Sequence, residues 1–232
     1  MKETICTIPI NDIFGIKDGC PFCRMEAMLE QQYVQFITGD AMMEPSIRIE
    51  TNEKGFCHRH FSQMTEKGQK LPNALILESH LQEILDKYMP KKAKGKPDKK
   101  RLEAIKKELS TCYVCDRIKA DMHHFMATIF VEWAKSGEFY KLYNEQPFIC
   151  LKHYSFVMDC ATGKNGISSK QISDFYAETT ALAKNYLETL KEDITHFCSM
   201  FDYRNQDGDW KNSKDSIERS IEFLTGEKPK SV

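Results

Sequence analysis

The chain has 232 residues, of which 29% are charged and 41% belong to the hydrophobic set, with a formal net charge of -1. That is enough chain for one large or two small domains with real cores. The balanced charge excludes a generally basic nucleic-acid binder or an acidic tail, and 11% aromatic residues argue against disorder.

The first fifteen residues, MKETICTIPINDIFG, lack the basic start and apolar run of a signal peptide. No stretch approaches the roughly 18 apolar residues of a membrane span. The expectation is a cytoplasmic protein in a reducing setting, with no membrane association. There, nine cysteines call for a metal, a redox role or burial rather than a disulfide framework.

The first element follows CPFC, residues 20–23. Met25, Leu29, Tyr33, Phe36 and Ile37 fall on one helical stripe. Ile47-Arg48-Ile49-Glu50 then alternates briefly before a turn-like Asn52-Glu53-Lys54-Gly55, which predicts a short hairpin. CHRH (57–60) opens another helix, and Leu71, Leu75, Leu81, Ile84, Leu85 and Tyr88 mark a third with looser spacing. The segment 89–101, MPKKAKGKPDKKR, carries seven basic residues and one aspartate. It reads as a solvated linker. A nucleic-acid patch is the sharper alternative, weakened by the absence of interleaved aromatics.

CYVC (112–115) precedes a helix with Ile118, Met122, Phe125, Ile129 and Trp133 on one face. CLKH (150–153) opens the next. ATGKNGISSK (161–170) breaks the pattern, and its GKNG lacks the rest of a phosphate-binding loop. The longest helix runs from about Ile172 to Phe201. In the polar end, Tyr203 and Lys214 stand where an EF-hand needs acids. A short helix is expected there instead, capped near Asn212 or Ser213, with Ile217, Ile221 and Leu224 inward and Gly226 as its stop.

Two parts of this chain repeat. CPFC followed by CHRH, and CYVC followed by CLKH, share one shape at a period near 92 residues; the intervening gaps hold 33 and 34 residues. His60-Phe61-Ser62 and His153-Tyr154-Ser155 extend the match, and Leu151 stands where His58 does. The histidine in register with its copy is therefore His60, and His58 faces solvent.

Three thiolates and one imidazole fill the tetrahedron that zinc prefers, leaving no open position for water. Taken in order along the chain, Cys20, Cys23, Cys57 and His60 form one site, and Cys112, Cys115, Cys150 and His153 the other. Helices starting at these residues would help the thiols ionise. A thioredoxin-type pair needs a βαβ setting that is absent. An iron–sulfur cluster is the alternative metal reading, although the closely spaced run of three cysteines is missing. Cys6, Cys160 and Cys198 have no counterpart in the repeat and are expected to be small buried hydrophobes.

The expected fold is mainly α: two tandem helical units, each with a Cys3His site, with the hairpin beside the first. The first unit spans 1–90, the basic linker 91–101, the second unit 102–200 and the polar C-terminal segment 201–232. CPFC, AMMEP, RIETNEKGFCHRHF, CYVCDRI and FDYRN…WKNSKD together resemble an uncharacterised bacterial family of about this length, found largely in anaerobic Gram-positive organisms. The resemblance covers essentially the whole chain and implies no catalytic residue. It singles out the FDYRN segment.

The function expected is a zinc-stabilised, non-enzymatic protein with a binding or regulatory role, with a protein partner allowed. The alternatives are an enzyme or sensor that uses a labile metal or iron–sulfur site, or one with a polar pocket around Asp202, Arg204, Asp207 and Asp209. Nucleic-acid binding through 91–101 is a third.

Overall fold

A computed structural model describes residues 7–163, 166–205 and 208–229. The elements are α1 (Thr7–Gly15), α2 (Pro21–Thr38), α3 (Pro45–Lys54), α4 (His58–Glu66), α5 (Lys70–Tyr88), α6 (Lys99–Leu109), α7 (Tyr113–Ala134), α8 (Glu138–Asn144), α9 (Leu151–Thr162), α10 (Ile172–Ser199) and α11 (Ser216–Thr225). Short 3-10 turns cover Asp40–Met43 and Tyr203–Asn205. The chain is mainly α, and no strand occurs among the described residues.

The hairpin expected around 47–50 is helix α3 instead. Pro45 sits at the first helical position, where its fixed φ and missing N–H cost nothing. Ile47 and Thr51, four apart, turn inward, while Ile49 is exposed. Two isoleucines spaced by one residue therefore imitate a strand inside a helix of period 3.6.

The chain divides into two compact units, one of residues 1–26 with 122–232 and one of residues 27–121. The first is therefore discontinuous in sequence, with the second lying between its two segments along the chain. The basic segment 91–101 lies within the second unit, where residues 91–98 lead from α5 to α6 and residues 99–101 open α6. Asp98 caps α6 by accepting a hydrogen bond from the Lys100 backbone N–H at 2.9 Å.

The discontinuous unit has an aromatic core. Phe14 packs edge-on against Phe22 and Phe139, with ring centroids 5.6 and 5.0 Å apart. Tyr143 joins them to Phe175, which meets Trp133 at 5.1 Å. Phe148 stacks on Tyr186 at 4.0 Å, and both touch Phe223 of α11. Edge-to-face and offset pairs of this kind add about 0.5–1.5 kcal/mol each beyond the area they bury. Phe223, rather than Ile217, Ile221 or Leu224, is the inward residue of α11; those three are exposed. Gly226 ends the helix at φ +79°, as its place in the sequence predicts.

In the other unit, Val34, Ile37, Met42, Phe56, Met64, Ile76, Tyr113 and Val114 form the core. Phe36 of α2 points outward and Val34 takes its place. On α5, Ile76 is buried, and of the looser stripe read from the sequence Leu75, Ile84 and Tyr88 are half-buried while Leu71, Leu81 and Leu85 are exposed.

Candidate metal centres

Each CxxH motif opens a helix in the same way. Cys57 is the N-cap of α4, with extended φ/ψ of −73° and 163°, and Cys150 is the N-cap of α9, with −67° and 161°. Their carbonyls accept the first helical bonds, from Phe61 N–H at 3.0 Å and Tyr154 N–H at 2.7 Å. His60 and His153 then lie in the first turn, on the same side as the capping sulfur. Each CxxC straddles a helix start as well. Cys20 precedes α2 and accepts from Arg24 N–H, and Cys112 precedes α7 and accepts from Asp116 N–H. Four helix N-termini, two per cluster, thus aim their positive ends at sulfur, as the sequence predicted.

Two clusters of four donors result, and each could hold a metal ion. One is Cys20, Cys23, Cys150 and His153; the other is Cys57, His60, Cys112 and Cys115. The grouping differs from the expected one. CPFC meets CLKH and CYVC meets CHRH, so each cluster takes one half from each copy of the repeat. Backbone contacts fix the second pairing: Tyr113 N–H donates to Gly55 O at 2.9 Å, and Thr111 Oγ1 to Lys54 O at 2.8 Å. The loop before Cys20 is held by Arg24, whose guanidinium donates to the carbonyls of Ile13, Ile16 and Gly19 and to Gln146 Oε1.

The donor spacing fits a small tetrahedral cation. Bonds of about 2.3 Å to sulfur and about 2.0 Å to nitrogen give S···S edges of about 3.8 Å and S···N edges of about 3.5 Å. In the first cluster Cys23 and Cys150 sulfurs are 3.6 Å apart, and His153 Nδ1 lies 3.7, 3.3 and 3.2 Å from Cys20, Cys23 and Cys150. In the second, Cys57 and Cys115 sulfurs are 4.0 Å apart, and His60 Nδ1 lies 3.2, 3.2 and 3.5 Å from Cys57, Cys112 and Cys115. Nδ1 faces the sulfurs in both.

The far ring nitrogen faces a carboxylate in both, the arrangement that fixes tautomer and orientation of a metal-binding histidine. His60 Nε2 is 3.0 Å from Glu30 Oε1. His153 Nε2 is 3.3 Å from Glu26 Oε1, close enough for charge attraction but off the hydrogen-bond direction. Both acids come from α2, one turn apart. Nothing in the repeat foretells them, because neither Glu26 nor Glu30 has an acidic counterpart one period on: Ile118 and Met122 stand there.

Proton affinities within the clusters show how crowded they are. Burial pushes His60 down, but hydrogen bonds to Cys112 and Glu30 outweigh it and raise it to about 10. His153 is raised to about 11 against its burial, chiefly by hydrogen bonds to Cys150 and Cys20. Glu30, despite burial, is lowered to about 2 by His60, Gln63 and Arg59. Cys112 is buried yet lowered to about 6, chiefly by His60. Partial desolvation within the cluster and the neighbouring sulfurs of Cys112 and Cys57 push Cys115 far up. Hydrogen bonds from Cys20 and Cys23 hold Cys150 well below the thiol range, while Cys150 and Cys20 drive Cys23 far above it. One thiolate is favoured in each set and the next is opposed by it. A divalent cation among the donors removes that opposition.

The remaining candidates stand apart. His58 is exposed, as its lack of a counterpart in the repeat predicts. Cys198 is exposed rather than buried, and Cys160 is half-buried with its sulfur 3.3 Å from His123 Nδ1. Cys6 and Asp207 lie outside the described residues. Asp202 accepts hydrogen bonds from both the backbone N–H and the guanidinium of Arg204, and the pair lies at the surface with Phe201 and Tyr203 exposed beside it. Asp209 is exposed and ties its backbone carbonyl to His196 Nε2 at 2.8 Å. Among the described residues these are local surface contacts, and the bidentate partner satisfies the Asp202 carboxylate.

Among the described residues, no helix is long and apolar enough to cross a membrane. No curated protein and no solved structure matches the chain. A family of unknown function (DUF6062) matches residues 1–231, and the chain belongs to that family.

Proposed function

We propose that this is a zinc-stabilised protein of the reducing cytoplasm with a binding or regulatory role, in which each Cys3His cluster binds one Zn²⁺. The observation that carries this reading is the donor set itself: two closed quartets at tetrahedral spacing, with imidazoles backed by carboxylates. Such a quartet leaves no coordination position for substrate, which favours a structural over a catalytic ion. The ion would supply positive charge that holds three thiolates together and crosslinks helix starts remote in sequence.

Elemental analysis of protein purified without oxygen tests the proposal. Two zinc per chain and a colourless protein are expected. Iron with sulfide, or no metal, would overturn it. Stripping the metal from the two-zinc protein should lower helix content, since ion binding contributes to folding directly.

A further inference from the structure

We propose that Cys115 and Cys57 form a peroxide-reactive thiolate pair, whose oxidation to a disulfide releases the ion of that cluster while the other cluster keeps its own. This rests on the zinc reading above. In a loaded cluster all three sulfurs are thiolates, so thiolate character is the same in both and access decides which reacts.

Access differs sharply. Cys115 is exposed and Cys57 half-buried, with sulfurs 4.0 Å apart at the surface. Cys112, the third sulfur, is 4% exposed and faces His60 Nδ1. In the other cluster Cys20 and Cys150 are 3% and 0% exposed. Gly226, just after α11, lies over that cluster's sulfurs. A Cβ there would stand 3.7 Å from both Cys150 Sγ and Cys23 Sγ. Cys23, the half-buried member, is therefore roofed by the C-terminal segment.

The chemistry balances with hydrogen peroxide as the two-electron oxidant. The Cys115 thiolate attacks one peroxide oxygen, the O–O bond breaks, and hydroxide leaves, giving a sulfenic acid. The Cys57 thiolate attacks that sulfur, the S–S bond forms, the S–O bond breaks, and a second hydroxide leaves. Two thiolates are oxidised and one peroxide is reduced. The sulfurs close by about 2 Å to reach bonding distance, within reach of side-chain rotation. Only Cys112 and His60 then remain as donors, too few for a four-coordinate site. A dithiol reductant reverses the step.

The test uses the full zinc-loaded chain, first shown by elemental analysis to carry two zinc. Equimolar hydrogen peroxide is added without oxygen, zinc release is followed with a chromogenic chelator, and disulfides are mapped by alkylation and mass spectrometry. One ion should leave at least about tenfold faster than the second, following thiol access. The first disulfide should join Cys57 to Cys115, and dithiothreitol plus zinc should restore the starting state. Release of both ions together would overturn the proposal. So would a first disulfide that includes Cys20, Cys23, Cys150 or Cys112. A chain without two zinc fails the earlier reading before peroxide is added, so the two failures are distinguishable.

Discussion

Around Cys150, three of the four donor residues are buried, and the chain after α11 covers the sulfurs. Around Cys112, Cys115 is exposed and Cys57 half-buried, and the imidazole's carboxylate is instead the better aligned of the two. Ligand types, helix-cap positions and ring-nitrogen choice are the same in both. Burial and outer hydrogen bonding therefore vary independently of the ligand set, and it is these that set how firmly each cluster is tied into its surroundings.

Serine replacements test this contrast most strongly. Cys150→Ser removes a fully buried donor and should cost at least about 4 kcal/mol in denaturant unfolding of the zinc-loaded protein; Cys115→Ser, at the surface, should cost about 1–2 kcal/mol. Equal losses would erase the distinction. Next come the carboxylates. Glu30→Gln should weaken zinc binding at the Cys112 cluster by about 10–100-fold in chelator competition. Glu26→Gln, which removes a poorly aligned partner, should weaken the Cys150 cluster less.

Two glycines give a matched pair of smaller effects. Gly226 has φ +79°, and its Cβ would meet Lys152 Cδ at 3.2 Å; Gly55, two residues before Cys57, has φ +57°, and its Cβ would meet the His80 ring at 3.2 Å. Gly226→Ala should cost about 1–2 kcal/mol through left-handed strain, and Gly55→Ala, at φ +57° and ψ −161° where only glycine is at ease, about 1–3 kcal/mol. Gly226→Ala should speed chelator extraction from the Cys150 cluster alone, and Gly55→Ala from the Cys112 cluster alone.

The mildest effect concerns pH. In zinc-stripped protein, His60 is raised to about 10. Its charged form is then bound more tightly in the fold than in the unfolded chain. The stabilisation is complete below about 6.5 and fades as pH rises through about 10. NMR titration of zinc-stripped protein should place the His60 midpoint near 10, far above the ordinary imidazole value of about 6.5.

Much of this was legible in the sequence. Helix starts at all four motifs, the choice of His60 over His58, and the Gly226 stop follow from spacing and capping rules that act within a few residues. The pairing of half-sites was not legible, because either grouping gives three sulfurs and one nitrogen at identical spacing. Only Tyr113 N–H on Gly55 O and its neighbours decide it, and a backbone bond between residues 58 positions apart leaves no composition signature. Glu26 and Glu30 look like ordinary helix-surface acids until the fold brings a histidine to each. Leucines 71, 81 and 85 misled for the opposite reason: apolar character marks a possible core face, but contact decides it.

The crossed pairing also orders events during synthesis. The donors of one cluster all lie between Cys57 and Cys115, inside the interval from Cys23 to Cys150 that the other must span. A chain emerging from the ribosome completes the inner quartet first, although CPFC emerged before any of it. At about 5–20 residues per second, CPFC waits a further roughly 2–8 s after Cys115 for His153. The cluster that ends up best sheltered is thus the one whose first two thiols stay longest without their partners, and the newborn chain is most vulnerable to thiol capture at CPFC.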